Sequence, residues 1–193
     1  MDSEDYAIEL LSTFYNTENL AIWPGHGITT KVLENMNDLP LHTLSVVLAR
    51  ISLDEAIGYC PAFRNTTRLE IISAEGSTWK DFKALVEFPN LTHLCFDTLG
   101  FVEDDVIPSL LKQCPSLRAM VYQVVRGCTI ETDDPRFLVF QEYVDLKDFI
   151  EEWKKSANGQ IGLWELADVI IQARKGEILS FSTCCCFHTS LGT

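Results

Sequence analysis

Apolar positions along this chain recur in a spaced pattern. FPNLTHLCF (88–96) and CPSLRAMVY (114–122) both run Pro, one residue, Leu, two residues, a large apolar residue, one residue, then an aromatic. They start 26 residues apart. Thr66-x-x-Leu69-x-Ile71 lies 25 residues earlier, Leu41-x-x-Leu44-x-Val46 another 25, and Thr17-x-x-Leu20-x-Ile22 a further 24. Leu20, Leu44, Leu69, Leu94 and Met120 therefore share one register. Alternation within each copy is the signature of a strand with one buried face. Between copies the spacing turns helical. WKDFKALVEF (79–88) brings Trp79, Phe82 and Leu85 or Val86 to one face, and DDVIPSLLKQC (104–114) does the same with Val106, Leu110 and Leu111. Pro108 falls early in its stretch, where a missing N–H costs least.

A strand and a short helix every 20–29 residues or roughly so is the unit of a leucine-rich repeat. One unit cannot cover its own apolar side, so neighbours stack around a shared core. The pattern predicts an α/β leucine-rich-repeat solenoid, with parallel strands on the concave face, short helices outside and a C-terminal helical cap. Residues 1–14 read as a helical lead-in, 15–125 as the repeats, 126–178 as a terminal strand and two-helix cap, and 179–193 as a disordered tail. The Asn or Cys usual after the strand is replaced by Gly25, Ala49, Ala74, Leu99 and Val125. Backbone or solvent must then bond the polar groups of those turns.

In the last third, RGCTIETDDP (126–135) is a polar connector and PRFLVFQEYV (135–144) reads as one more strand. Asp145-Leu146-Lys147-Asp148 opens a helix carrying Phe149, Ile150 and Trp153, which Asn158-Gly159 ends. A second helix runs from Leu163 to Lys175, with Trp164, Leu166, Ala167, Ile170 and Ile171 on its apolar side. Solenoids close their last unit with atypical elements, so this pair is expected to cap that end, its tryptophans serving as packing residues.

Composition narrows the partners. A length of 193 residues suits one domain. A net charge of −13 repels phosphate backbones, so no nucleic-acid partner is expected. MDSEDYAIEL has no basic n-region or apolar h-region, and no apolar run approaches bilayer-spanning length. Neither a signal peptide nor a membrane span is expected. Seven cysteines without an export signal read as free thiols of a cytoplasmic or nuclear protein. Cys60, Cys95, Cys114 and Cys128 sit among apolar residues, as core thiols do. Cys184, Cys185 and Cys186 beside His188 make a poor zinc site, because adjacent cysteines rarely reach one tetrahedral centre. Palmitoylation there lacks a membrane-binding neighbour.

The chain carries no G-x-S-x-G, P-loop, HExxH or CxxC motif, so neither catalysis, metal nor cofactor is expected. His93 and Cys95, two apart on one strand face, are the nearest approach to a nucleophile–base pair, and a thiol hydrolase is the alternative function. Acidic pairs such as Asp104-Asp105, Asp133-Asp134 and Glu151-Glu152 read as helix starts or solvated faces. The strand positions that alternate outward predict a protein-binding face containing Trp23, Val47, Arg68, Glu70, Ile72, His93, Asp97 and Gln123. The apolar row Trp23, Val47, Ile72 marks either an interface or a surface that a loop or the C-terminal segment covers. On the open-face reading, Trp23→Ala or Arg68→Glu weakens partner binding without unfolding. A monomer is expected.

FPNLTHLCF, PSLLKQCPSLRAMV, DPRF and the late Trp153-x10-Trp164-x11-Gly-Glu-Ile resemble the C-terminal leucine-rich-repeat regions of F-box-like proteins of mushroom-forming fungi. The resemblance covers most of residues 15–178. It implies a substrate-receptor role in an SCF-type ubiquitin ligase, with the repeats choosing the target. DLPLHTLSVVLARI (38–51) opens with the Leu-Pro of an F-box start, yet it holds the repeat register and is read as a strand. The ligase-docking half is therefore expected to be missing or degenerate, and a truncated family member without independent function is a further expectation.

Overall fold

Each apolar pair that sets the register falls in a strand. A computed structural model of the chain describes residues 3–23, 27–48, 51–73, 78–98, 102–124, 130, 132–141 and 146–175. The turn positions Gly25, Ala49, Ala74, Leu99 and Val125, together with Cys128 and the 179–193 tail, lie outside the described residues. The strands are β1 (Asn19–Ile22), β2 (Thr43–Leu48), β3 (Arg68–Ser73), β4 (His93–Thr98), β5 (Ala119–Val124) and β6 (Phe137–Gln141). They form one α/β sheet, all parallel and paired in chain order. Leu20, Leu44, Leu69, Leu94, Met120 and Phe137 are register partners from one edge to the other. The aromatic-rich stretch after Pro135 thus extends the same sheet.

Parallel neighbours need a crossover between them. Here these carry α2 (Thr30–Met36), α3 (Leu53–Tyr59), α4 (Trp79–Phe82) and α5 (Val106–Gln113), with 3-10 turns at Pro61–Asn65 and Lys83–Glu87. Successive helices touch one another along one side of the sheet. Between them and the strands lies the main core. Leu44, Val46, Leu69, Ile71, Leu94, Phe96 and Met120 point into it from the sheet, and all are fully buried. Burying such side chains is worth about 1.5–3 kcal/mol each, which is what fixes the register. Phe82 packs on Phe96 with ring centres 4.5 Å apart. At the N-terminal end, α1 (Ser3–Thr13) packs on α2 and brings Ala7, Ile8 and Leu11 to the same core.

Local signals set the helix starts. Ser52 and Glu55 form a capping box on α3, with Ser52 N–H donating to Glu55 Oε2 at 3.0 Å and Glu55 N–H to Ser52 Oγ at 3.2 Å. At the strand entrances a backbone step recurs. His42 O accepts the N–H groups of Thr67 and Arg68, Thr67 O those of Thr92 and His93, and Thr92 O those of Arg118 and Ala119. Arg136 ties the start of β6 to what precedes it. Its guanidinium donates to Leu111 O near the end of α5 at 2.7 Å, to Leu117 O at 3.2 Å and to Asp134. Asp134 is therefore no solvated acid: Arg136 holds its carboxyl below the usual range.

The C-terminal pair, α6 (Leu146–Ala157) and α7 (Leu163–Lys175), departs from the expected end cap. It lies over the second face of the sheet. Trp164, Ala167 and Ile171 of α7 are buried against Cys95, Ala119, Val121 and Leu138. Those four sheet residues are apolar on the side opposite the main core, and a parallel sheet with two apolar faces needs cover on both. Leu166 lies off the 164–167–171 stripe and is exposed. Polar contacts give the path of α7: Glu165 meets Arg68 on β3, Asp168 meets His93 on β4, and Arg174 donates to Phe137 O on β6. Nine helical residues rise about 14 Å, and three strand spacings cover about 14 Å, so α7 runs across the strands. No helix among the described residues is long and apolar enough to cross a membrane.

Candidate functional site

The face expected to meet a partner is where the sheet receives α6 and α7. Arg68 Nη1 donates to Glu165 Oε1 at 2.9 Å, and both side chains are about one-third exposed. Glu165 Oε2 accepts from Gly162 N–H at 3.1 Å and from Ser156 Oγ at 3.3 Å. One carboxylate therefore caps the start of α7, ties it to α6 and docks the pair on β3. Gly159, at φ 69°, makes the turn that returns the chain. Gly162 sits so close to α6 that a Cβ there would lie 1.9 Å from Ser156 Oγ and 2.9 Å from Ser156 N. Only glycine permits that approach.

His93 is buried beneath α7. Its Nε2 lies 3.2 Å from Asp168 Oδ1, its Nδ1 2.8 Å from Thr92 Oγ1, and its ring meets Trp164 edge-on at 5.9 Å. Burial lowers its pKa, Asp168 opposes that fall, and Arg68 and Arg118 add to it. The Thr92 hydroxyl donates to Thr67 O at 3.0 Å, so the His93 ring is held between that hydroxyl and the Asp168 carboxylate.

The other predicted contact residues divide. Glu70 and Gln123 are buried and border a cavity of only about 20 Å³ with Glu152, Trp153, Leu163 and Trp164. Gln123 Oε1 meets no donor among the described residues. Glu70, His93, Gln123 and Arg68 thus sit under the chain's own helices, where a partner was expected. Trp23, Val47 and Ile72 are half-buried at the C-terminal ends of β1–β3. Trp23 Nε1 donates to Ser45 Oγ at 2.7 Å, and its ring meets Trp153 of α6 edge-on at 6.2 Å. Asp97 is in register with Ile72 and Gln123, and its side chain lies outside the described residues. The sequence reading missed Glu165 and Asp168, which lie far along the chain from Arg68 and His93 and carry no local mark of those partners.

The geometry presents no nucleophile to a substrate at His93 and Cys95. Both ring nitrogens face Thr92 and Asp168, and the Cys95 thiol is buried in the apolar layer under α7. Cys60 and Cys114 are free thiols, and both are buried, as is Cys95. Burial pushes the Cys60 thiol up to about 11 and raises Cys114, so neither forms the reactive thiolate at neutral pH. Among the described residues no cluster of His, Cys, Asp and Glu could hold a metal ion. Comparisons with protein-family models, curated proteins and solved structures found no match to this chain.

Proposed function

We propose that this chain is a protein-binding scaffold of the leucine-rich-repeat type, a monomer of the cytoplasm or nucleus related to the substrate-recognition half of F-box-like ubiquitin-ligase receptors. The observation that carries this reading is the sheet: β1 to β5 pair in parallel, in chain order and in one unbroken register. A surface of that kind works by contact. Five strands at about 4.8 Å span roughly 19 Å, the scale of a peptide or a domain edge. Since α7 occupies the stretch over β3–β6 and Trp153 of α6 meets Trp23, the partner-facing part of the row is Val47 and Ile72. That row is more apolar than solvent requires. Glu70, His93 and Gln123 then support the covering helices instead of touching a partner.

Affinity purification of the full chain with mass spectrometry tests this reading. Partners captured by the wild type should be lost by Val47→Glu and Ile72→Glu, because a charge placed in a dry contact costs several-fold to many-fold in affinity. They should be kept by Val169→Glu, which changes a residue 63% exposed on α7. SCF components among them would carry the F-box relation. Retention of every partner by both row variants, with unchanged melting, would remove the row as the contact surface.

A further inference from the structure

We infer that the N-terminal edge of the sheet is a docking groove for an extended acidic peptide segment. An open groove of about 760 Å³ runs along this edge, lined among others by His42, Thr67, Thr92, Arg118, Arg136 and Lys175. Five of these are the residues immediately before β2, β3, β4, β5 and β6, and Lys175 ends α7. The groove therefore crosses five strand entrances. Four strand spacings make about 19 Å, the length of roughly six residues in extended form.

Its charge runs against that of the molecule. The chain has 28 acidic and 15 basic residues, yet Arg118, Arg136 and Lys175 line the groove and, among the described residues, no carboxylate does. Arg118 and Lys175 are exposed and make no ion pair within contact distance among the described residues, although the Asp134 carboxyl held by Arg136 also feels Lys175. Arg136 is held by Asp134 and two carbonyls, and so gives a fixed wall. Thr67 and Thr92 supply a polar, half-buried floor. Arg118 can take a carboxylate through two N–H groups, and Lys175 can meet another as a point charge. A short acidic segment suits this surface better than nucleic acid. At physiological salt charges are screened beyond about 8 Å, so a segment confined to the groove feels its local cations. A long polyanion would also run over the surrounding acidic surface. The groove lies at the opposite end of the strands from the Trp23, Val47, Ile72 row, so the inference does not depend on that row.

Fluorescence polarisation with labelled hexaglutamate tests it, using the full chain at low and physiological salt. Saturable binding is expected, weakened at least about tenfold in the double variant Arg118→Glu, Lys175→Glu, with unchanged thermal melting. Hexaglycine should not bind, and Val47→Glu should bind hexaglutamate like the wild type, which separates this groove from the proposed partner row. Absence of saturable hexaglutamate binding at low salt would overturn the inference, as would equal affinity in the double variant. Tighter binding of a short oligothymidylate through the same two residues would replace the acidic peptide with nucleic acid.

Discussion

His93 sits where a charge would be costly, under an indole and between Arg68 and Arg118. Its pKa in the folded chain lies below the ordinary 6.5, because burial outweighs Asp168. A group depressed in this way contributes stability above its unfolded value and loses it as pH falls, since the unfolded chain takes up a proton that the buried ring refuses. Urea midpoints measured from about pH 7.5 down to about pH 5 should fall in the wild type, most steeply below 6.5. In His93→Gln that part of the fall should vanish, and an unchanged acid slope would assign it elsewhere. The alternation of each strand made Arg68 and His93 legible as neighbours on one face. Their partners were not legible, because Glu165 and Asp168 lie 97 and 75 residues away and nothing local ties them to those strands.

At the level of elements, periodicity marks the first five strands and apolar, aromatic content the sixth, and the second C-terminal helix runs from Leu163 to Lys175 as its apolar spacing predicts. The short α2 and α3 were passed over, although Ser52-x-x-Glu55 announces the start of α3. The destination of α6 and α7 is not legible for a different reason. An amphipathic pair looks the same whether it closes an end or covers a face. The deciding residues lie in the strands, where Cys95, Ala119, Val121 and Leu138 are too apolar for an open surface. The docking of the pair can be measured. Arg68→Glu sets two carboxylates against each other and should cost about 1–3 kcal/mol, read by thermal melting. Adding Glu165→Arg should restore part of the loss, a coupling that appears only if the two side chains meet as described. Additive single effects would refute the contact. Arg68→Glu thus reports on the chain's own helices before it reports on any partner.

For the whole molecule, α7 completes a second apolar layer over a sheet that already has one. Removing residues 146–193 would leave Cys95, Ala119, Val121 and Leu138 open to water. Such a variant should bind a hydrophobic dye and melt well below the full chain; a monomeric, dye-silent product with unchanged melting would show that the layer is dispensable. The acidic surface and the basic strand-entrance groove are also properties of the whole, since the groove cations come from separate parts of the chain. The pairing order has a consequence for synthesis. Each strand after the first has its predecessor as neighbour, so the sheet can grow one strand at a time as the chain leaves the ribosome, each pairing waiting only for the crossover before it. The last helix breaks that rule by reaching back to β3. Until it emerges, a nascent chain that has formed six strands displays one uncovered apolar face, and that interval is when a chaperone would find it.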